Sequence, residues 1–265
     1  MHILTVALGI FLWMYLMPIM LLGALLAGPL LLWLSPVIVA LSAMGIFASR
    51  DDVRSSALRD IANALPYHRW FGKVDHVPTV DSPHLITFHP HGVLCTAALT
   101  SAHFKPGSNT LFAVSRWLFV IPGIGWVAVQ LGCIPATQAR IEAALQHGSV
   151  VLVPGGVPEL VVDRPYTRRY GFLRCALRAK VPLLPVHCGV KFFDRIDTPS
   201  IHDLQLWVAR HIGLPVMLPV FGWRSLWLPK RLPVNVDIKE AFVVKREPPL
   251  EHERVRYFGQ VYGVE

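Results

Sequence analysis

Hydrophobic and polar positions divide the chain of 265 residues into two parts. Residues 1–49 contain no Asp, Glu, Lys or Arg, so all 25 basic and 17 acidic residues lie between 50 and 265. About 20 apolar residues cross a bilayer as a helix, so the first part is long enough to cross twice. Proline and glycine interrupt it at Pro18, Gly28-Pro29 and Pro36. The pattern predicts a helical hairpin or re-entrant pair over roughly 3–26 and 30–48, which makes 1–49 a membrane anchor.

A secretory signal peptide is the competing interpretation of residues 1–49. Such a peptide has a positively charged start, a short apolar stretch and a small-residue cleavage site, and the sequence shows none of these features. A retained anchor is therefore favoured. Arg50 and Arg54 follow the apolar stretch directly, and the positive-inside tendency predicts that the remaining chain faces the cytosol.

Residues 50–265 contain polar and apolar runs that are separated by turn signals. This length of chain is enough for one domain. The clearest helix covers 138–147, with Thr137 as its expected cap and Gly148 after its end. Strands alternating with helices predict an α/β domain with a mainly parallel sheet covered on both faces. The predicted strands are 84–89, 110–115, 149–154, 182–187 and 234–238.

The strand predicted at 84–89 ends in His89-Pro90-His91-Gly92. An imidazole takes and returns protons near neutral pH, Pro90 fixes one backbone dihedral between the two rings, and Gly92 permits a sharp turn. The pattern favours a catalytic pair, although the spacing does not decide which ring is the base. Buried structural histidines and a metal site are the alternatives, but no metal-ligand spacing occurs nearby.

Two further motifs contain groups that can bind a substrate or assist a reaction. Pro154-Gly155-Gly156-Val157-Pro158-Glu159 follows another apolar strand, so its backbone N–H groups and its carboxylate can reach the same sheet edge as the histidines. Glu159 is then placed to orient a histidine and stabilise its protonated form. Arg168-Arg169-Tyr170-Gly171-Phe172-Leu173-Arg174 can recognise phosphate, or can form a solvated basic helix face.

The cysteines, the net charge and one aromatic stretch limit the compartment and the binding partners that the sequence predicts. Cys95, Cys133, Cys175 and Cys188 are widely spaced and are best interpreted as buried thiols in a reducing compartment, with packing favoured over a nucleophilic role for Cys95. The formal net charge of +8 is better matched to anionic headgroups or a nucleotide-bearing co-substrate than to nucleic acid. The aromatic and proline-rich stretch 214–233 fits a membrane interface and a buried loop equally well.

In the order of these motifs, the chain resembles the type 2 diacylglycerol acyltransferase family, which includes monoacylglycerol and wax-alcohol acyltransferases. The resemblance runs from about Trp70 to Val190. It rests on His-Pro-His-Gly, on Pro-Gly-Gly-x-x-Glu, on the arginine motif from Arg169 to Arg174, and on the Pro-Leu-Leu-Pro-Val segment at 182–186. Trp70-Phe71-Gly72 stands where the family usually has Tyr-Phe-Pro, and Tyr170 replaces a usual basic residue.

The resemblance implies transfer of a fatty acyl group from acyl-CoA to a neutral lipid hydroxyl at the endoplasmic reticulum membrane, with no bound cofactor. It assigns His91 as the general base, with His89 and Glu159 supporting it. Diacylglycerol is the preferred acceptor, and a homo-oligomer is compatible with the family. The resemblance places the remaining motif positions in substrate and acyl-CoA binding, namely Pro90, Gly92, Gly155, Gly156, Arg169, Gly171, Phe172 and Arg174.

Several alternatives stay open. Monoacylglycerol, a wax alcohol or a lysophospholipid is a different acceptor for the same chemistry. The glycerolipid acyltransferases related to this family carry an Asp five residues after their histidine. Here the residue five positions after His89 is Leu94 and the residue five positions after His91 is Thr96, which argues against a simple lysophosphatidate enzyme. A lipid-binding membrane protein without catalysis is the alternative from another class.

Overall fold

The computed structural model of the protein describes residues 28–49, 56–78, 80, 82–92, 95–103, 110–162, 165–195, 199–213, 220–225, 228–245 and 250–263. The helices, in chain order, are α1 (Gly28–Ala48), α2 (Ala57–Ala64), α3 (Tyr67–Phe71), α4 (Thr96–Ala98), α5 (Ile124–Gln130), α6 (Gln138–Leu145), α7 (Gly156–Val162), α8 (Gly171–Ala179), α9 (His202–His211) and α10 (Leu250–Tyr262). The strands are β1 (Leu85–His89), β2 (Leu111–Val114), β3 (Cys133–Pro135), β4 (Val150–Leu152), β5 (Leu183–His187), β6 (Asp194–Arg195), β7 (Val220–Phe221) and β8 (Asp237–Ile238).

A six-stranded sheet in the order β3-β2-β4-β1-β5-β8 organises the domain. Its first five strands run parallel, and β8 pairs antiparallel with β5. The prediction of an α/β domain with a mainly parallel sheet is therefore confirmed. Strands β6 and β7 form a separate antiparallel pair. Because β1 lies between β4 and β5, the loop after β1 has neighbours on both sides.

Side chains of the central strands alternate between two hydrophobic clusters, one on each face of the sheet, as the period of two in a strand requires. On β1, Leu85 joins one cluster, whereas Ile86 and Phe88 join the other. Both clusters are buried because helices cover both faces, which explains why these strands are continuous apolar runs. Thr87 and His89 therefore share the face of Leu85, the face on which α8 and α10 pack.

The strands predicted at 84–89, 110–115, 149–154 and 182–187 are confirmed as β1, β2, β4 and β5. The strand predicted at 234–238 is reduced to Asp237–Ile238, with Val234 in an isolated bridge to Val74. Strand β3 was not predicted, since only three residues form it. Helix α6 is confirmed with Thr137 at its N-cap position, but the Thr137 side chain makes no capping hydrogen bond.

Helix α1 corresponds to the second helix of the predicted hairpin, and the first lies outside the described residues. Its end packs against α5, where Gly45 meets Gly125 and the carbonyl of Phe119. A side chain at either glycine would collide with that backbone, so the two glycines permit the close approach. Within the described segments, no helix is both long and apolar enough to cross a bilayer.

The stretch 214–233 is described only in part. Trp223 packs edge-to-face against the buried Trp70, with ring centroids 5.3 Å apart. The Trp70 indole N–H donates to the carbonyl oxygen of Pro229 at 3.1 Å, and Lys230 pairs with Asp194 at 2.6 Å. In its described part, the segment therefore packs against the domain through Trp223 and Pro229, while Arg224 and residues 231–233 are exposed.

Candidate functional site

The predicted site motifs meet at the carboxyl end of the sheet. His89 is the last residue of β1 and lies in register with His187, the last residue of β5. The loop after β4, on the other side of β1, leads through Gly155 into α7, which carries Glu159. Parallel neighbours that end at one edge bring their loops together, and this is where open α/β sheets place ligands.

His89 is buried and held by the last described helix. Its Nε2 lies 2.9 Å from the hydroxyl of Tyr257, and its Nδ1 lies 3.2 Å from the hydroxyl of Tyr262. Burial, together with repulsion from His187, lowers the pKa of His89 to about 3. The ring is therefore neutral at physiological pH, and both of its nitrogens have partners.

His91 is in a different setting. Its Nδ1 lies 2.7 Å from the carbonyl oxygen of Gly92. Because a carbonyl oxygen only accepts hydrogen bonds, Nδ1 carries the proton and Nε2 carries the lone pair. Burial, and to a smaller extent the positive charge of Arg169, lowers the pKa of His91 to about 4. His91 is thus a neutral imidazole at pH 7, with Nε2 able to take a proton.

Cys95 lies closer to this ring than the sequence suggested. Its sulfur is 3.5 Å from each of the two ring nitrogens of His91. Burial raises the pKa of the Cys95 thiol, and the negative charge of Glu159 raises it further. The thiol therefore stays protonated, which makes Cys95 a packing partner of His91 and a poor nucleophile.

Glu159 is buried in the first turn of α7. Burial raises its pKa to about 7, while the backbone N–H groups of His91 and Tyr166 act in the opposite direction. The carboxylate thus holds the backbone of His91, whereas the sequence predicted that it orients the ring. Among the described residues, Oε1 of Glu159 has no hydrogen-bond partner. A buried oxygen of this kind is available to a substrate or to a protonated imidazole.

Gly155 and Gly156 make room for two charged side chains. A Cβ on Gly155 would lie 1.3 Å from Oε2 of Glu159, and a Cβ on Gly156 would lie 2.5 Å from Nη1 of Arg169. Gly156 also has a φ of +58°. The structure therefore brings His91, Glu159 and Arg169 together around the Gly-Gly turn.

The other predicted positions are more dispersed. Pro90 and Gly92 flank His91, and the peptide bond between His89 and Pro90 is cis. Gly171 and Arg174 are exposed on α8. Phe172 is buried, and its ring centroid lies 5.0 Å from that of Tyr257. Phe172 thus packs against α10, the helix whose tyrosines contact His89.

Tyr257, Tyr262 and His187 were missing from the predicted site. All three contact the ring of His89 or lie beside it. One sequence signal was available: alternation along β1 puts His89 on an inward face, where a buried polar ring needs partners. Nothing in the sequence names α10 as the element that supplies them. In the described portion of the chain, no group of three or more His, Cys, Asp or Glu side chains could hold a metal ion.

Comparisons with known proteins find similarity to acyltransferases. The model of the family described as "Diacylglycerol acyltransferase" matches residues 37–263. The chain is 33% identical over 119 residues to acyl-CoA wax alcohol acyltransferase 1 of Mus musculus, covering 38% of this chain and 36% of the relative. It is 24% identical over 187 residues to diacylglycerol O-acyltransferase 2B of Umbelopsis ramanniana, covering 61% and 54%.

A third relative is 2-acylglycerol O-acyltransferase 3 of Homo sapiens, 27% identical over 210 residues that cover 69% of this chain and 62% of the relative. The chain thus spans between about a third and two thirds of the length of these relatives. Among solved structures, the 1-acyl-sn-glycerophosphate acyltransferase PlsC of Thermotoga maritima superposes with a TM-score of 0.48 at 17% identity, covering 91% of this chain and 94% of that chain.

Proposed function

The chain belongs to the diacylglycerol acyltransferase family, and on that premise we propose that it transfers a fatty acyl group from acyl-CoA to a neutral lipid hydroxyl, with diacylglycerol as the preferred acceptor. The observation that carries the proposal is the neutral His91, whose Nε2 lone pair lies in the same site as the buried Glu159. A thioester is already activated, so the reaction needs a base, a stabilised charge and two aligned substrates.

In the proposed reaction, Nε2 of His91 takes the proton of the acceptor hydroxyl as its oxygen attacks the thioester carbonyl. A carbon–oxygen bond forms, and the carbonyl electrons move onto the oxygen of a tetrahedral intermediate. The carbon–sulfur bond then breaks, and the proton passes from the imidazolium of His91 to the departing CoA sulfur. The proton taken at the start is returned, so the histidine is regenerated.

Glu159 and Arg169 act on opposite stages of this cycle. Burial, and to a smaller extent the positive charge of Arg169, disfavours a positive charge on His91, so the ring enters the reaction neutral. Glu159, with a pKa of about 7, is partly ionised at neutral pH, and its charged form stabilises the imidazolium once the proton has moved. The guanidinium of Arg169, beside Gly156, is also suited to a phosphate of CoA.

The proposal includes binding at the endoplasmic reticulum membrane through residues 1–49, with the catalytic domain on the cytosolic side, where it meets acyl-CoA. Its supports are the absence of charged residues from 1–49 and the arginines that follow at 50 and 54. Exposed apolar side chains on α1, including Val37, Val39 and Phe47, favour the same interpretation. Acyl-CoA is a co-substrate here, and no resident cofactor is needed for the chemistry.

A second group of acceptors is favoured by the relatives themselves. Proteins named for wax alcohols and for 2-acylglycerol align with this chain as well as those named for diacylglycerol do. These acceptors all present one hydroxyl on an apolar body, so the same base serves each of them. A lysophospholipid acceptor would add a charged headgroup and is the less favoured alternative.

Acyl transfer in membranes that contain the expressed protein tests the proposal. Labelled oleoyl-CoA is offered with diacylglycerol, monoacylglycerol, a long-chain alcohol or lysophosphatidate, and products are separated by chromatography. We expect label in triacylglycerol and a fall of about 100-fold or more in His91→Ala, because general base catalysis contributes that much. His84→Ala is the matched control, since His84 lies just before β1 at the opposite end of the strand. Label in another product changes the acceptor, whereas no transfer by folded protein, or full transfer by His91→Ala, refutes the mechanism.

A further inference from the structure

Helix α10 places two tyrosine hydroxyls on the two nitrogens of one imidazole. Tyr257 is fully buried and lies 2.9 Å from Nε2 of His89, whereas Tyr262, at the end of the helix, lies 3.2 Å from Nδ1. The two contacts come from residues more than 165 positions away in sequence. A helix distant in the chain therefore clamps the strand end that carries the catalytic loop.

We assign the direction of the hydrogen bonds outward from Thr87, the innermost group. In this assignment the hydroxyl of Thr87 donates to the carbonyl oxygen of Leu184, 3.5 Å away, and accepts from the hydroxyl of Tyr257 at 2.5 Å, a contact in which either oxygen can donate. The Tyr257 hydroxyl has then used its proton and accepts from Nε2–H of His89. A neutral imidazole with a proton on Nε2 has its lone pair on Nδ1, which accepts from the Tyr262 hydroxyl.

Tyr262 also connects the other parts of the site. Its ring stands edge-on to His187, with centroids 6.0 Å apart, and stacks on Phe258 at the same separation. Burial raises the pKa of Tyr262, and the negative charge of Glu159 raises it further. Tyr262 thus borders the ends of β1 and β5 and the start of α7.

We propose that Tyr262 is a positioning residue for acyl transfer: its hydroxyl donates to Nδ1 of His89, fixes that ring in its Nε2–H tautomer, and so holds the strand end that presents His91 to Glu159. This inference rests on the proposed function of His91. His91 follows His89 by two residues, and its backbone N–H donates to Glu159. Small displacements of a base from its reacting group slow catalysis strongly, so the hydroxyl affects the rate without touching substrate.

Tyr262→Phe tests this inference because it removes the hydroxyl and keeps the ring against His187 and Phe258. We expect kcat to fall roughly 10-fold or more, with KM for acyl-CoA within about twofold and an unchanged melting temperature. Tyr67→Phe is the matched control, because Tyr67 is also buried but lies in α3. A kcat equal to that of the wild type, a rise in KM at constant kcat, or a fall in kcat matched by a fall in folded protein would each overturn the role.

A second readout does not depend on activity. In full-length protein in detergent with ¹⁵N-labelled histidine, and with His89→Gln for assignment, we expect the Nε2–H tautomer at His89. We expect its Nδ1 resonance to move in Tyr262→Phe and to stay in place in Tyr67→Phe. An unmoved resonance overturns the hydrogen bond. If the wild type transfers no acyl group, the proposed function fails, and this spectrum still decides whether Tyr262 holds His89.

Discussion

Gly155 and Gly156 each leave room for a different charged side chain. Gly155 admits the carboxylate of Glu159, whose Oε2 lies 1.3 Å from the position that a Cβ would take. Gly156 admits the guanidinium of Arg169 and has a φ of +58°, which favours glycine for a second, independent reason. The pair is therefore required by the charged groups packed around it, and a simple tight turn would not need both.

Gly155→Ala should displace Glu159 from its place beneath the His91 backbone. The added methyl group occupies the carboxylate's position, so we expect acyl transfer to fall about 100-fold. We expect the free energy of unfolding to fall by about 1–3 kcal/mol, the range typical of overpacked sites. Transfer assays and thermal unfolding of the purified variant in detergent measure the two effects.

Gly189→Ala is the control for that substitution. Among the described residues, Cε1 of His187 is the one atom within 4 Å of the position of its Cβ, at the ordinary contact distance of 3.7 Å, although Gly189 lies just beyond the end of β5. We expect near wild-type transfer and stability. Full activity in Gly155→Ala would mean that Glu159 does not need its observed position.

The two histidines of the motif were predicted together, but the structure gives them different partners. The sequence predicts that both lie at a strand end, and the structure places them there. Spacing did not distinguish them, because their difference arises from distant partners. His89 receives two hydroxyls from α10, whereas the Nδ1 of His91 is bound by its own loop. Only the folded chain decides which nitrogen keeps an available lone pair.

At the scale of elements, burial on both faces made the sheet predictable. Apolar runs such as Val150–Leu152 and Leu183–His187 are what a covered parallel strand requires. β3 escaped prediction because Cys133–Pro135 is too short to show a period. Helix α10 was missed as a site element for a different reason: its role depends on tertiary packing over β1, which local patterns do not encode.

Helix α1 offers a test of element packing. Gly45→Val should push α1 away from α5, because a Cβ at Gly45 would lie 2.6 Å from the carbonyl oxygen of Phe119 and 2.9 Å from Cα of Gly125. Backbone atoms give way less easily than side chains, so we expect a loss of about 1–3 kcal/mol in the free energy of unfolding. Denaturant unfolding in detergent measures this loss.

Ala40→Val is the matched control, because Ala40 is exposed on the same helix. Val has a lower helix propensity than Ala but a higher one than Gly, so propensity alone predicts a loss of about 0.5 kcal/mol in Ala40→Val and a small gain in Gly45→Val. A Gly45→Val variant as stable as the wild type would show that the contact between α1 and α5 contributes nothing. The contact between α1 and α5 also crosses the predicted domain boundary near residue 50, because α1 lies before that boundary and α5 after it.

At the scale of the whole molecule, three titratable groups of the site make stability depend on pH in opposite senses. His89 and His91 have pKa values lowered to about 3 and about 4, so between these values and about 6.5 the unfolded chain binds more protons than the folded chain. Their contribution to stability is complete above pH 6.5 and is lost as the pH falls. Glu159, with a pKa raised to about 7, binds its proton more tightly when folded, so its contribution falls as pH rises from about 4.5 to 7.

Near pH 5.5 the unfolded chain thus gains about two protons on the histidines, and the folded chain retains about one on Glu159. Each net proton changes the free energy of unfolding by about 1.4 kcal/mol per pH unit. From these three groups, the wild type should therefore lose about 1 kcal/mol per unit on acidification from pH 6.5 to 5. Glu159→Gln leaves the two histidines unopposed, so its loss should be about twice as steep. The same variant should be the more stable protein above pH 7, where the wild type carries a buried negative charge.

Equilibrium unfolding of both proteins at pH 5, 5.5, 6, 6.5 and 7.5 measures the two slopes, and their difference removes the titration of all groups that the variants share. His89→Gln in the same series should flatten the wild-type slope, because one of the two acid-sensitive groups is gone. Parallel curves for wild type and Glu159→Gln would mean that Glu159 ionises in the folded protein as it does in the unfolded chain. Its carboxylate would then be solvated, and it could not supply the buried charge on which the imidazolium of His91 depends.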